Sequence, residues 1–205
     1  SYIKRIDLPL KPSRVGFYSV EGYTYSDEKL IAIDRAKQVI RELGHEVVDL
    51  VIRDANIKND PTLLYEFKAS LNQFLSEFSE NPNITSLADI IRFNTENERR
   101  CLRYGQSILT AANATSGNLD DPDFLEKYTD IYQKARQFET LMHAHDLISL
   151  VAPIWLGYAP IYGNPSVCIP EGVSGDQPIA MVFVGKKYDD ETLIRLTHHY
   201  FEKRK

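Results

Sequence analysis

The sequence predicts an α/β fold, a mixed, largely parallel sheet flanked by helices, and three observations carry that prediction. Short β-patterned runs stand near both ends: RVGFYSV (14–20) and HEVVDLVI (45–52) early, then LISLVAPIW, SVCIP and PIAMVFVG late. The late runs are almost continuously apolar, the pattern of strands buried on both faces. The long middle shows helical periodicity only.

Taken in order, RVGFYSV is the first strand, and Ser26 followed by Asp27 and Glu28 is a helix start with acids in its first turn. Leu30, Ile33, Ala36, Ile40 and Leu43 share one face of that helix, Gly44 stops it, and HEVVDLVI resumes the β pattern. This is a β-α-β unit, which implies a parallel pair. In the middle, Leu64, Phe67, Leu71, Phe74 and Phe78 form an apolar stripe ended at Asn81 and Pro82. Ser86 caps a helix over SLADIIRFNTENERR, with Leu87, Ile90 and Ile91 inward. GQSILTAANATSGNLDDP is partly helical and ends in a loop. A further helix starts at Asp121 and Pro122 and carries Leu125, Tyr128, Ile131, Ala135, Phe138 and Met142 along one side. After the late strands, DDETLIRLTHHYFEKR closes the chain as a helix with acids first and bases last. With no internal repeat and no low-complexity linker, residues 1–205 read as a single domain.

Composition narrows the function classes. Lys plus Arg number 24 against 29 Asp plus Glu, and the bases are scattered apart from Lys203, Arg204 and Lys205, so no nucleic-acid footprint exists. No apolar run approaches the roughly 20 residues of a membrane helix, and the opening SYIKRIDLPLK lacks the apolar centre of a signal peptide. The chain is expected to be cytoplasmic and to bind neither nucleic acid nor membrane. Cys101 and Cys168 lack the spacing of a disulfide framework or a zinc site, and Cys168 is expected to lie inert in an apolar strand.

The chemistry-bearing motifs are few. A nucleophilic serine needs a base and oxyanion donors, yet there is no GxSxG, no serine pair and no glycine pair. Gly16 and Gly22 read as turn glycines without the spacing of a dinucleotide cradle. His143 and His145 point to different sides of a helix, which suits a helix-end role better than a shared metal. His198 and His199 are expected to be one inward and one exposed. In GNPSVCIPEG (163–172), Pro165 and Pro170 cannot donate to a ladder, so this run is an edge strand or the rim of a site.

Several motifs agree in order and spacing with a known family. LLYEFKASLNQFL, TSLADIIRFNTEN, YGQSILTAANATSG, DLISLVAPIW, GNPSVCIPEG, QPIAMVFVG and KKYDDETLIRL resemble the C-terminal half of amidase signature enzymes, particularly bacterial amidases. The resemblance covers essentially the whole chain. It implies the C-terminal part of that fold and, in a complete enzyme, hydrolysis of the C–N bond of a small amide by a lysine and two serines in the N-terminal half. That half is expected to be absent here, so no catalytic residue is assigned, no cofactor or metal is implied, and the chain alone is expected to be inactive. Trp155, Leu156, Gly157, Tyr158, Gly163, Asn164 and Pro165 resemble substrate-pocket rim positions. Packing of Trp155 and Tyr158 in the core stays open as the alternative. The chain departs from the family at Ala180, where glycine is common, at Asn164, where tyrosine is usual, and in a short loop between Pro153 and Pro165. These departures bear on substrate preference. The expected partners are the N-terminal half or a second copy, and a short non-catalytic homologue acting as a binding or assembly module is the alternative function.

Overall fold

The computed structural model describes residues 2–53, 61–154 and 157–205. Along the chain run β1 (Arg14–Val20), α1 (Asp27–Glu42), β2 (Glu46–Ile52), α2 (Pro61–Phe78), α3 (Leu87–Glu96), α4 (Glu98–Cys101) and α5 (Ser107–Ala114). They are followed by α6 (Pro122–Ala135), α7 (Gln137–Ala144), β3 (Leu147–Ala152), α8 (Tyr158–Tyr162), β4 (Ser166–Ser174), β5 (Gln177–Gly185) and α9 (Asp190–Lys203). Two compact units result: Ser1–Ile57 with Tyr132–Lys205, and Lys58–Ile131.

The first unit is built on one mixed sheet of order β2-β1-β3-β5-β4. β1 pairs in parallel with β2 and with β3, and β5 runs antiparallel to both β3 and β4. Period-two alternation divides the core in two. Val15, Phe17, Met181 and Phe183 pack on one face against Ala36 and Ile40 of α1 and Leu193, Leu196 and Tyr200 of α9. Tyr18, Leu147, Leu150, Val182 and Val184 pack on the other against Phe138 and Met142 of α7 and Tyr158 and Ala159 of α8. The β-α-β unit, the Gly44 stop (φ +86°) and the closing helix stand where the sequence places them.

Some expectations need correction. β4 is not buried on both faces: it is the edge strand that Pro165 and Pro170 suggested, paired among the described residues with β5 alone, and its residues alternate between exposed and buried. Cys168 is therefore exposed on that edge rather than enclosed. Gly16 is not a turn residue but lies within β1. Ala32 and Val39 join Ala36 and Ile40 on the buried face of α1, whereas Leu30 is exposed. The helix expected from Asp121 to Met142 breaks at Arg136, and α6 buries Phe124 and Ile131 while Leu125 and Tyr128 face out. The helix after Ser86 ends at Glu96.

In the second unit, Ser86 caps α3 by accepting from the Asp89 N–H, and Asn72 of α2 accepts from the Leu87 N–H. Lys68 Nζ donates to the carbonyls of Asn113 (2.9 Å) and Thr115 (2.6 Å), tying α2 to the end of α5 where carbonyls lack helical partners. The apolar stripe of α2 does not turn wholly inward. Leu64 and Leu71 are half-buried, but Phe74 is 56% and Phe78 66% exposed, their rings 5.3 Å apart.

His198 and His199 are both half-buried and both hold the segment that precedes β1. His198 Nε2 lies 3.0 Å from Asp7 Oδ1, His199 Nε2 lies 3.0 Å from the Leu8 carbonyl, and Arg195 donates to the carbonyls of Leu8 and Pro9. Beside them, buried His45 accepts the Ser13 N–H on Nδ1 at 3.2 Å, an arrangement open only to a neutral Nδ1. Burial, and then the charge of His199, lower the His45 pKa below 6.5. A histidine whose folded pKa lies below its unfolded value contributes stability above the unfolded pKa and loses it as pH falls through the folded one. The melting temperature is thus expected to hold from about pH 8 to 7 and to fall as pH drops below about 6.5. Thermal melts of the chain and of His45→Gln between these limits check this; an equal slope in the variant would remove His45 as the cause.

Candidate functional site

β1 is the strand from which the two parallel neighbours diverge. Its crossover through α1 leads to β2 on one side, while β3, from the far end of the chain, pairs on the other. In open α/β sheets such a reversal leaves a crevice beyond the carboxyl ends of the strands. A cavity of about 320 Å³ lies there, lined by Phe17, Tyr18 and Ser19 of β1, Leu50 and Val51 of β2, and Val151, Ala152 and Pro153 at the end of β3. Leu30, Ile33, Asp34 and Lys37 of α1 and Tyr25 of the loop before it complete the wall. The exposed position of Leu30 is thereby explained.

The slot is apolar with few polar groups. Lys37 Nζ pairs with Asp49 Oδ1 at 2.6 Å and lies 5.8 Å from the Phe17 ring centre, while Asp34 is exposed at the margin. The hydroxyls of Tyr18 and Tyr25 are buried and without a hydrogen-bond partner among the described residues. Burial, reinforced by Tyr25, raises the pKa of Tyr18, and burial followed by Tyr23 pushes Tyr25 up to about 12. Both phenols therefore stay neutral near pH 7 and able to donate and accept. Tyr23 packs edge-on against Tyr25, ring centres 5.0 Å apart. The lining of the slot suits an apolar group, and among its described residues no base is bonded to a nucleophilic side chain. Among the described residues, no group of three or more His, Cys, Asp or Glu side chains is arranged to hold a metal. His143 bonds Glu139 one turn back at 3.1 Å, and the His145 carbonyl accepts from Arg14.

The described rim positions lie at α8 and in the turn between it and β4. Trp155 and Leu156 lie outside the described residues. Gly157 precedes α8, and Tyr158 is buried in the core, edge-on to Phe138 at 5.6 Å. Gly163, with φ +92°, ends α8, and Pro165 accepts the Gly185 N–H. Because Gly185 pairs with Ser149 and Val182 with Ala152, these residues sit at the start of β3, the end opposite the switch-point cavity. Buried Asn164 donates there to Glu139 Oε2 (2.6 Å) and to the Gly185 carbonyl (3.0 Å), and Glu139 Oε2 also accepts the Lys187 N–H at 3.1 Å. Lys187 Nζ lies 4.9 Å from the Tyr162 ring centre beside an open cleft of about 690 Å³. Tyr18 and Tyr25 escaped the sequence reading, although phenols at a strand's carboxyl end and in the following loop were a usable signal.

A scan against protein-family models finds no match. Curated relatives include a probable amidase of Arabidopsis thaliana, 29% identical over 167 residues, which are 77% of this chain and 31% of that protein. The native peptide amidase of Stenotrophomonas maltophilia superposes with a TM-score of 0.86 at 27% identity, over 98% of this chain and 45% of that one. A bacterial aryl acylamidase of the amidase signature family shares the fold alone, with a TM-score of 0.56 at 14% identity over 98% of this chain and 46% of that one. The chain thus spans less than half the length of these relatives. Among the described residues no helix is long and apolar enough to cross a membrane. By sequence and by fold the chain is homologous to the amidases and carries the C-terminal portion of an amidase signature fold.

Proposed function

We propose that the chain serves as the C-terminal portion of a cytoplasmic amide hydrolase, supplying a substrate-facing wall while the nucleophile, its base and the oxyanion donors come from the remainder of the enzyme. Homology to amidases over nearly the whole chain carries this reading. The switch-point cavity supports it: a mostly apolar lining suits an uncharged ligand, and no described serine hydroxyl is bonded to a histidine or lysine. The purified chain is expected to leave an aryl amide such as p-nitroacetanilide uncut and to take up no serine-directed phosphonate. Turnover with stoichiometric labelling would show that it holds a nucleophile of its own.

The exposed Phe74 and Phe78 of α2 favour a second reading, a non-catalytic homologue used in assembly. The intact mass of the protein captured from its source cells separates the two. A mass more than twice this chain's 23.5 kDa, with peptides bearing paired serines in a glycine-rich stretch, supports the hydrolase; a mass near 23.5 kDa supports the assembly module.

A further inference from the structure

At the opposite end of β3 from the switch point, the open cleft of about 690 Å³ is lined by Arg136, Glu139 and His143 along α7, Tyr162 at the end of α8, and Lys187 and Tyr188 after β5. Its one carboxylate is engaged at both oxygens. Glu139 Oε2 accepts from Asn164 Nδ2 at 2.6 Å and from the Lys187 N–H at 3.1 Å, while Oε1 lies 3.1 Å from His143 Nε2. Its two cations are not so engaged. Among the described residues neither Arg136 nor Lys187 pairs with a carboxylate, and Lys187 Nζ lies near two phenol rings that line the cleft, 4.9 Å from the centre of Tyr162 and 5.3 Å from that of Tyr188. Tyr188 adds an independent observation. It stands at φ +65° in a turn closed by the Asp189 N–H on the Lys186 carbonyl at 3.0 Å, a place that favours glycine or asparagine. Its ring is 87% exposed, so burial does not offset the strained backbone. An exposed aromatic held in such a conformation lowers stability and points to a use at the surface. We propose that this cleft binds a small aromatic carboxylate, its anionic group on Lys187 and Arg136 and its ring against the Tyr188 phenol. A planar carboxylate matches the fork of a guanidinium, and the ring gains from packing on a second aromatic face. The cleft's volume lies within the ~300–1,000 Å³ usual for ligand sites. The site stands apart from the switch-point cavity and does not depend on the hydrolase reading.

Titration of the chain with benzoate, followed through the ring signals of 13C-labelled tyrosine, tests the site. Saturable shifts are expected at Tyr162 and Tyr188, with Lys187→Met and Arg136→Gln each weakening binding about tenfold, the loss of one charge-assisted contact. Benzamide, which lacks the charge, is expected to bind at least about tenfold more weakly, and acetate and inorganic phosphate, which lack the ring, at least about fivefold. Tyr188→Gly separates use from structure. Glycine suits φ +65°, so this variant is expected to melt no lower than the wild type and yet to bind benzoate about fivefold more weakly. A Tyr188→Gly chain that melts lower would show that the ring is kept for stability, and one that binds like the wild type would remove the ring from the site; either result overturns the proposal. So would absent or non-saturating shifts at Tyr162 and Tyr188, shifts confined to Tyr18 and Tyr25, cation variants that bind like the wild type, or benzamide or phosphate binding as tightly as benzoate. Amide turnover does not enter this readout, so the hydrolase reading stands or falls separately.

Discussion

Gly16→Val is expected to destabilise the first unit by about 3 kcal/mol, the upper part of the range for overpacking a filled core. A Cβ at Gly16 would stand 2.6 Å from Leu147 Cδ1, 2.9 Å from Leu150 Cδ2 and 3.2 Å from Leu50 Cδ1. Those atoms end flexible side chains, but Leu147 and Leu150 are wholly buried. They can yield only by displacing Phe138, Met142 and Tyr158, which pack in the same cluster. Gly16→Ala is the milder form. Alanine regains some backbone entropy in a strand, so its net loss is expected to be about 1–2 kcal/mol. Urea unfolding of the two variants measures both numbers. An alanine variant as stable as the wild type would mean the leucines have room, and the close approach at β1 would then explain nothing. Tyr18 lies two residues on, on the same face of the strand. A Gly16→Ala chain that still folds is therefore expected to show a disturbed contact between the Tyr18 and Phe138 rings.

Gly16 also shows where the sequence stops being readable. A glycine near the start of a β-patterned run can be read as a turn, and only the arrival of β3 beside β1 turns the position into one that has no space for a side chain. The β-α-β unit was legible because its helix start, its Gly44 stop and its strand pattern are all local. The sheet order was not. β5 inserts between β3 and β4, so β4, whose prolines already pointed to an edge, is half exposed there with Cys168 facing out. Asn164 and Pro165 stand near the start of β3, while Pro153 lines the cavity at its end. The candidate site shares this origin. Tyr18 and Tyr25 acquire a common cavity only because strands from opposite ends of the chain meet beside them. Helix periodicity carried further, yet in α2 it marked an apolar stripe without telling that Phe74 and Phe78 would stay exposed.

Tyr200→Phe is expected to cost about 2–3 kcal/mol, although the identical change at Tyr18 is expected to cost nothing. The difference lies in what each hydroxyl meets. The Tyr200 hydroxyl donates to Glu171 Oε1 at 2.7 Å, and the Glu171 side chain is only 1% exposed. A bulge between Pro170 and Gly172, with Gly172 at φ +139°, interrupts the ladder of β4 at this carboxylate. Arg204 Nε stands 3.8 Å from Oε1, beyond hydrogen-bonding distance, and Oε2 has no partner among the described residues. Burial, then the bond to Glu171, raise the pKa of Tyr200, so the phenol remains a donor at any pH where the fold is studied. Removing it leaves a buried carboxylate without its one close donor, and an acceptor stranded in that way loses its full desolvation energy. If that is the cause, Glu171→Leu added to Tyr200→Phe should recover much of the loss, because the pair is then replaced by apolar groups rather than broken. Urea midpoints for the single and double variants decide it. A Tyr200→Phe chain within about 0.5 kcal/mol of the wild type would mean that Arg204 closes on Glu171 when the phenol is gone, and the contrast with Tyr18 would lose its basis.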